Sequence, residues 1–169
     1  MRLIRKFIKN RTGSAAIEFA LLALPFMVVV FSIVEVALMF FIDSALDAAL
    51  HKTVRKIRTG TAMSQAWDMA AFKNELCKNL AYSFSCGSTV LVRSQKVTAI
   101  DAISFATPVN SGKLEVTETF TLGASGDYIL IQVFLPWDPI ISFYAMSSSK
   151  LSDGTNVLGA TVLFKNEPF

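Results

Sequence analysis

The chain has 169 residues, 53% of them hydrophobic and 17% charged, with sixteen Lys and Arg against thirteen Asp and Glu. That length suits one modest domain plus an anchor and argues against two full domains, since ~100 to 200 residues per domain is usual. Five of the cations (Arg2, Arg5, Lys6, Lys9, Arg11) precede Gly13, where there is no acid; the remaining eleven face thirteen acids, a balance of −2, so the basic pI belongs to a leader and indicates no nucleic-acid partner.

After the leader, residues 19–42 read FALLALPFMVVVFSIVEVALMFFI, interrupted only by Pro25, Ser32 and Glu35. About 20 apolar residues at ~1.5 Å per residue cross a ~30 Å hydrocarbon core, so this run is long enough to span. It exceeds the ~7 to 15 residues of a cleaved secretory core. The crowded cations of the leader put the N-terminus in the cytoplasm by the positive-inside rule, although Lys52, Arg55, Lys56 and Arg58 beyond the span pull the other way. The organisation expected is a basic leader over 1–13, a transmembrane half-helix over 14–42 and an extracytoplasmic domain over 43–169.

Within the spanning run, Glu35 falls near mid-membrane, where an acidic side chain costs roughly 2.5 to 3.5 kcal/mol on insertion scales. It is read either as a protonated carboxyl tolerated in a lone helix or as a contact to a neighbouring helix. Pro25 leaves the carbonyl of Leu21 without its helical donor and softens the helix there, as an aid to packing or as ordinary membrane-helix proline. Glu18 and Glu35 are about 100° apart around a straight helix and so serve different contacts.

Gly13, Ser14-Ala15-Ala16-Ile17 and then Glu18-Phe19, following a basic leader and opening an apolar helix, together resemble a type IV prepilin cleavage site. The resemblance implies a membrane aspartic peptidase that cuts after Gly13 on the cytoplasmic side, making Ser14 the new N-terminus and Glu18 its fifth residue. Read without it, Gly13 is juxtamembrane punctuation and Glu18 a first-turn carboxylate, favourable against the helix dipole. The blocks AAIEFALLALP, IVEVALMFF and ALDAAL, with YILIQVFLPW and the chain end GATVLFKNEPF, resemble the TadE-like family, minor pseudopilins of the tight-adherence (Flp-type) pilus machinery. The chain departs from that pattern at Lys165, where an arginine is expected, and its short length favours a TadE-like or TadF-like subunit over the larger TadG-like relatives.

Further along, Ile42, Ala45, Leu46, Ala49, Leu50, Val54 and Ile57 form one helical stripe, so a single helix is expected from about 14 to 58, stopped at Thr59-Gly60. A second amphipathic helix is expected over about 62–82, with Ala66, Met69, Ala70, Leu76, Cys77 and Leu80 facing inward. Cys77 and Cys86, spaced C-x8-C, suit one disulfide tying that helix end to the first strand; a metal site would need more ligands than these and the distant His51. From residue 88 the pattern turns to period two. TVLVRS, QKVTAIDAISF, KLEVTETFTL, DYILIQVFLPW and TNVLGATVLF read as strands, with turns at NSGK and GASGD. The fold class expected is α+β and pilin-like: a long N-terminal helix running into a small domain with a second helix and an antiparallel sheet.

No enzyme is legible. The glycines lack the strand–glycine–helix context of a phosphate cradle, the sole histidine sits on the polar side of the long helix, and no nucleophile elbow or carboxylate couple occurs. No cofactor or metal is expected. The basic cluster Lys52–Arg58 reads as the wet face of a helix or a headgroup contact, and PWDPIISFYAM as a partner patch or a core edge. The family resemblance implies a bacterial inner-membrane, single-pass protein with a periplasmic domain. Its partners would be a prepilin peptidase, other pilins or pseudopilins, the inner-membrane assembly platform and the bilayer, and it would take part in pilus assembly. The competing reading is an unprocessed bitopic protein whose outer domain binds a partner.

Overall fold

The computed structural model describes residues 14–80, 86–98, 103, 109–139 and 151–169. Gly13 and the basic leader, most of the expected strand over 99–105 and residues 140–146 of the apolar PWDPIISFYAM stretch lie outside them. The architecture is α+β, a long helix running into a small domain with short helices and an antiparallel sheet.

Helix α1 spans Ser14–Arg58 without interruption at Pro25. Its C-terminal half carries the stripe read from the sequence: Ile42, Leu46, Ala49, Leu50, Val54 and Ile57 are buried, with Ala45 partly so. Buried Thr53 on the same side donates its hydroxyl to the Ala49 carbonyl at 2.8 Å, so the polar group adds no unpaired donor to the core. The helix ends as expected. The N–H groups of Thr59 and Gly60 return to the Arg55 and Ile57 carbonyls, and Gly60 adopts φ 77°, a left-handed conformation that glycine takes without a Cβ penalty.

The single helix expected over 62–82 is instead two. α2 covers Thr61–Ser64 and α3 covers Met69–Asn79. Ala66 breaks the run at φ 50°, and the Asp68 carboxylate caps the new helix by accepting the Ala71 N–H at 2.8 Å. The break rotates the buried face. Phe72 and Leu76 are fully enclosed and Leu80 is buried, whereas Ala66 and Ala70 point outward and Met69 is only partly covered. Cys77 near the end of α3 is bonded to Cys86, which opens the short α4 (Cys86–Thr89), with Cα atoms 5.8 Å apart.

The sheet comprises β1 (Leu91–Val97), β4 (Tyr128–Trp137) and β5 (Asn156–Lys165) in the order β1-β4-β5, antiparallel throughout. Leu91 pairs with Phe134 and Val97 with Tyr128; on the other side Tyr128 pairs with Lys165 and Trp137 with Asn156. β4 is central, which explains why its sequence is apolar at both parities. Ile129, Ile131, Val133, Leu135 and Trp137 join the core shared with α1 and α3, while Leu130, Gln132 and Phe134 are buried on the opposite face. A two-residue hairpin, β2 (Val109–Asn110) and β3 (Lys113–Leu114), turns through Ser111 and Gly112, both at positive φ, as the NSGK signal requires.

The alternating KLEVTETFTL does not form the long strand its pattern suggests. Beyond Leu114 the chain lies along the outer edge of β1 through mixed bonds. Ser94 N–H donates to the Thr119 carbonyl at 2.8 Å, Ser94 Oγ to the Thr121 carbonyl at 2.7 Å, and Val92 N–H to Glu118 Oε1 at 2.9 Å. A side-chain carboxylate replaces a backbone acceptor there, which interrupts the ladder yet covers the edge. Phe120 and Leu122 still pack against the core, and the Phe120 ring lies 5.4 Å from that of Phe72.

Candidate functional site

From Ala16 to Phe31 the side chains of α1 are mostly exposed. Ile17, Phe19, Leu21, Leu22, Leu24, Phe26 and Phe31 are more than half exposed, with Phe19 at 74%. The mean hydropathy of the most apolar window is 2.5, and only 11% of that window is buried. A helix of this length that is hydrophobic all round and uncovered requires an apolar environment supplied from outside the chain, as a bilayer or neighbouring helices. The next part of the same helix is a domain core element, so one continuous rod joins the two environments.

The polar residues of this segment fall into different positions. Glu18 is exposed in the first turns of α1, and Phe19 beside it is the most exposed large apolar residue among the described residues. Pro25 lies mid-segment with its surface open. Ser32 and Glu35 are 7% and 8% exposed and stand about three and two turns before Ile42, so they extend the buried stripe back into the apolar run. The Ser32 hydroxyl donates to the Val28 carbonyl. Glu18 is thus exposed and Glu35 enclosed within the single chain, because the covered stripe begins only at Ser32. Ser14 is the first residue of α1.

At the far end of α1 a polar cluster and a clasp hold the helix to the domain. Lys56 Nζ bonds Glu75 Oε1 at 2.7 Å and lies 5.7 Å from the centre of the Trp67 ring. The Glu75 carboxyl is held below its ordinary value chiefly by that hydrogen bond, against an opposing effect of burial. Lys52, Arg55, Lys56, Thr59, Thr61, Glu75 and Asn79 line an open cavity of about 520 Å³. His51 is exposed and 3.8 Å from Asp47 Oδ2, one helical turn away. Among the described residues there is no group of three or more His, Cys, Asp or Glu side chains placed to hold a metal.

The clasp is made by the last residues, which sequence reasoning singled out only as resembling a family. Glu167 N–H donates to the Arg58 carbonyl at 2.9 Å, and its carboxylate meets Arg58 Nε at 3.1 Å. Asn166, 2% exposed, donates from Nδ2 to the carbonyls of Leu122 and Ala124 at 2.9 and 3.0 Å. Phe169 covers Gly60 so closely that a Cβ there would fall 2.6 Å from its Cγ. Lys165, where an arginine was expected, sets its ammonium over the ring of its cross-strand partner Tyr128 at 5.4 Å, a cation–π contact.

Residues 13–55 match the family model described as TadE-like protein. No curated protein and no solved structure matches the chain. The matched segment begins at the glycine of the suspected cleavage site and covers nearly all of α1, both the bare half and the half that enters the core.

Proposed function

From the TadE-like segment over 13–55 we propose that this protein is a minor pseudopilin of a tight-adherence, type IV-like pilus. It is inserted in the bacterial inner membrane with its leader in the cytoplasm and its domain in the periplasm, and a prepilin peptidase cuts it after Gly13. The observation that carries this reading is the coincidence of the matched segment with one helix whose first half is apolar and bare and whose second half is rooted in the domain. That is the construction a subunit needs when it waits in lipid and then packs through the same helix against other pilins of its system.

The proposed cut has a physical rationale. Glycine at 13 lets the scissile backbone enter a narrow active site, and cleavage removes the five cations that hold the N-terminus in the cytoplasm. Ser14 then carries the new ammonium, and Glu18 as fifth residue supplies a carboxylate to balance it in its own or a neighbouring chain. Phe19 beside Glu18 is 74% exposed in the single chain, which leaves its ring surface for a neighbouring helix. The role is structural, with the assembly platform and other pseudopilins as partners and no reaction catalysed.

The test is the intact mass and N-terminal residue of the protein expressed with and without a matching prepilin peptidase, beside Gly13→Leu. A new N-terminus at Ser14 that requires both the peptidase and Gly13 is the expected result. Persistence of Met1 in all three samples overturns it and leaves an unprocessed bitopic protein whose outer domain binds a partner.

A further inference from the structure

Between Ser32 and Ile42 the two sides of α1 are unlike. Ser32, Glu35 and Ile42 are buried and Met39 packs on the core, all on one stripe. On the other side Ile33, Val34, Val36, Phe40 and Phe41 are 64%, 48%, 44%, 63% and 60% exposed, continuing without a break the bare surface of residues 19–31. The domain thus covers one flank of the helix well before the apolar run ends.

Length then fixes how deep this two-sided stretch sits. A span that begins after Glu18 needs about 20 residues to cross ~30 Å, which carries it to about residue 38. The part with no buried residue, from Phe19 to Phe31, supplies only about 20 Å. The remaining ~10 Å comes from the stretch with one covered flank. If the domain were lifted clear of the lipid instead, Glu18 would be drawn into hydrocarbon and the exposed apolar flank beyond Ser32 would stand in water; both changes are unfavourable.

We propose that the flank of α1 bearing Ile33, Val34 and Val36 is a lipid-contacting surface, and that the part of the domain covering Ser32 and Glu35 dips into the outer edge of the bilayer rather than standing above it. Glu35 then lies at the depth of the acyl chains but on the covered stripe, shielded from them by the protein. The partner is the bilayer itself, identified by continuity with the spanning segment. This rests on the spanning helix of the proposed function and adds the depth and the side.

Single cysteines at Leu24, Ile33, Val36 and Ser44 of the full chain, with the Cys77–Cys86 bond intact, are spin-labelled and reconstituted in phosphatidylcholine–phosphatidylglycerol vesicles. Collision with oxygen is compared with collision with a water-soluble nickel chelate. Labels at 24, 33 and 36 are expected to favour oxygen severalfold over the label at 44. If 33 and 36 behave like 44 while 24 remains in lipid, the domain rides clear of the membrane and this inference is overturned with the span intact. If 24 also behaves like 44, the spanning reading fails with it. Unlabelled substitution at these exposed positions removes no core contact, and persistence of the disulfide reports the fold.

Discussion

Gly60→Ala is expected to weaken the domain by about 2 to 3 kcal/mol, and the structure divides that loss into two parts. Gly60 sits at φ 77°, where a residue with a Cβ pays roughly 1 to 2 kcal/mol. The new Cβ would also meet the Phe169 ring at 2.6 Å from Cγ, so the ring must leave. Phe169 is already 51% exposed, and displacing it forfeits about half of the ~2 kcal/mol that full burial of a phenylalanine provides, roughly 1 kcal/mol. Urea denaturation in detergent, followed by the fluorescence of Trp67 and Trp137, measures the total. Repeating the substitution in a Phe169→Gly background, which also removes the Cβ that lies 3.0 Å away, isolates the contact, because only the backbone strain of about 1 to 2 kcal/mol should remain. Equal losses in the two backgrounds would refute the clasp of the chain end over the helix stop. A loss under about 0.5 kcal/mol in both would refute the left-handed cap as well.

Three further outcomes follow from the same contacts. Reducing Cys77–Cys86, which closes a loop across a sequence separation of 9, should lower the unfolding free energy by about 2.5 to 3 kcal/mol, read as a shift of the urea midpoint. Asn166→Ala leaves the Leu122 and Ala124 carbonyls without their buried donor and should cost about 2 to 3 kcal/mol, with Asn166→Asp worse because it sets a carboxylate against two carbonyl oxygens. Burial pushes the Glu118 carboxyl up, but the Lys73 hydrogen bond at 2.6 Å, the Val92 N–H and the Lys73 charge together hold it below its ordinary 4.5. Its stabilisation is therefore complete above that ordinary value and is lost as the pH falls through the lower, folded-state value. Urea midpoints between pH 7 and pH 3 should fall more steeply for the native protein than for Glu118→Gln; parallel profiles would remove Glu118 from the account.

The long helix was legible because its signals agreed: an apolar run, then a stripe from Ile42 to Ile57, then Thr59-Gly60. The central strand was legible for a related reason, since YILIQVFLPW is apolar at both parities and both of its faces are covered. The split of the second helix is also written in the sequence, with Asp68 standing as a cap before Met69-Ala70-Ala71-Phe72, but an amphipathic period run across it hides the break and leaves Phe72 off the inward face. KLEVTETFTL misled because alternation reports which side chains face inward and says nothing of what satisfies the backbone; Glu118 and Ser94 supply side-chain partners that only tertiary proximity provides. At the candidate site, the apolar surface and Glu18 were readable from composition and position. The burial of Glu35 depends on how far the domain reaches along α1, although Ser32, Glu35, Met39, Ile42 and Leu46 already had the spacing of one stripe.

The clasp has a mechanical meaning. Traction applied to the bare half of α1 passes along an uninterrupted rod, and the domain resists through contacts strung along the axis from Ser32 to Ile57 and closed off at Arg58 by Glu167. Those contacts are loaded in shear, all at once, instead of being peeled one after another. A helix drawn out of a membrane by its first residues would bring its domain along before it tore loose from it.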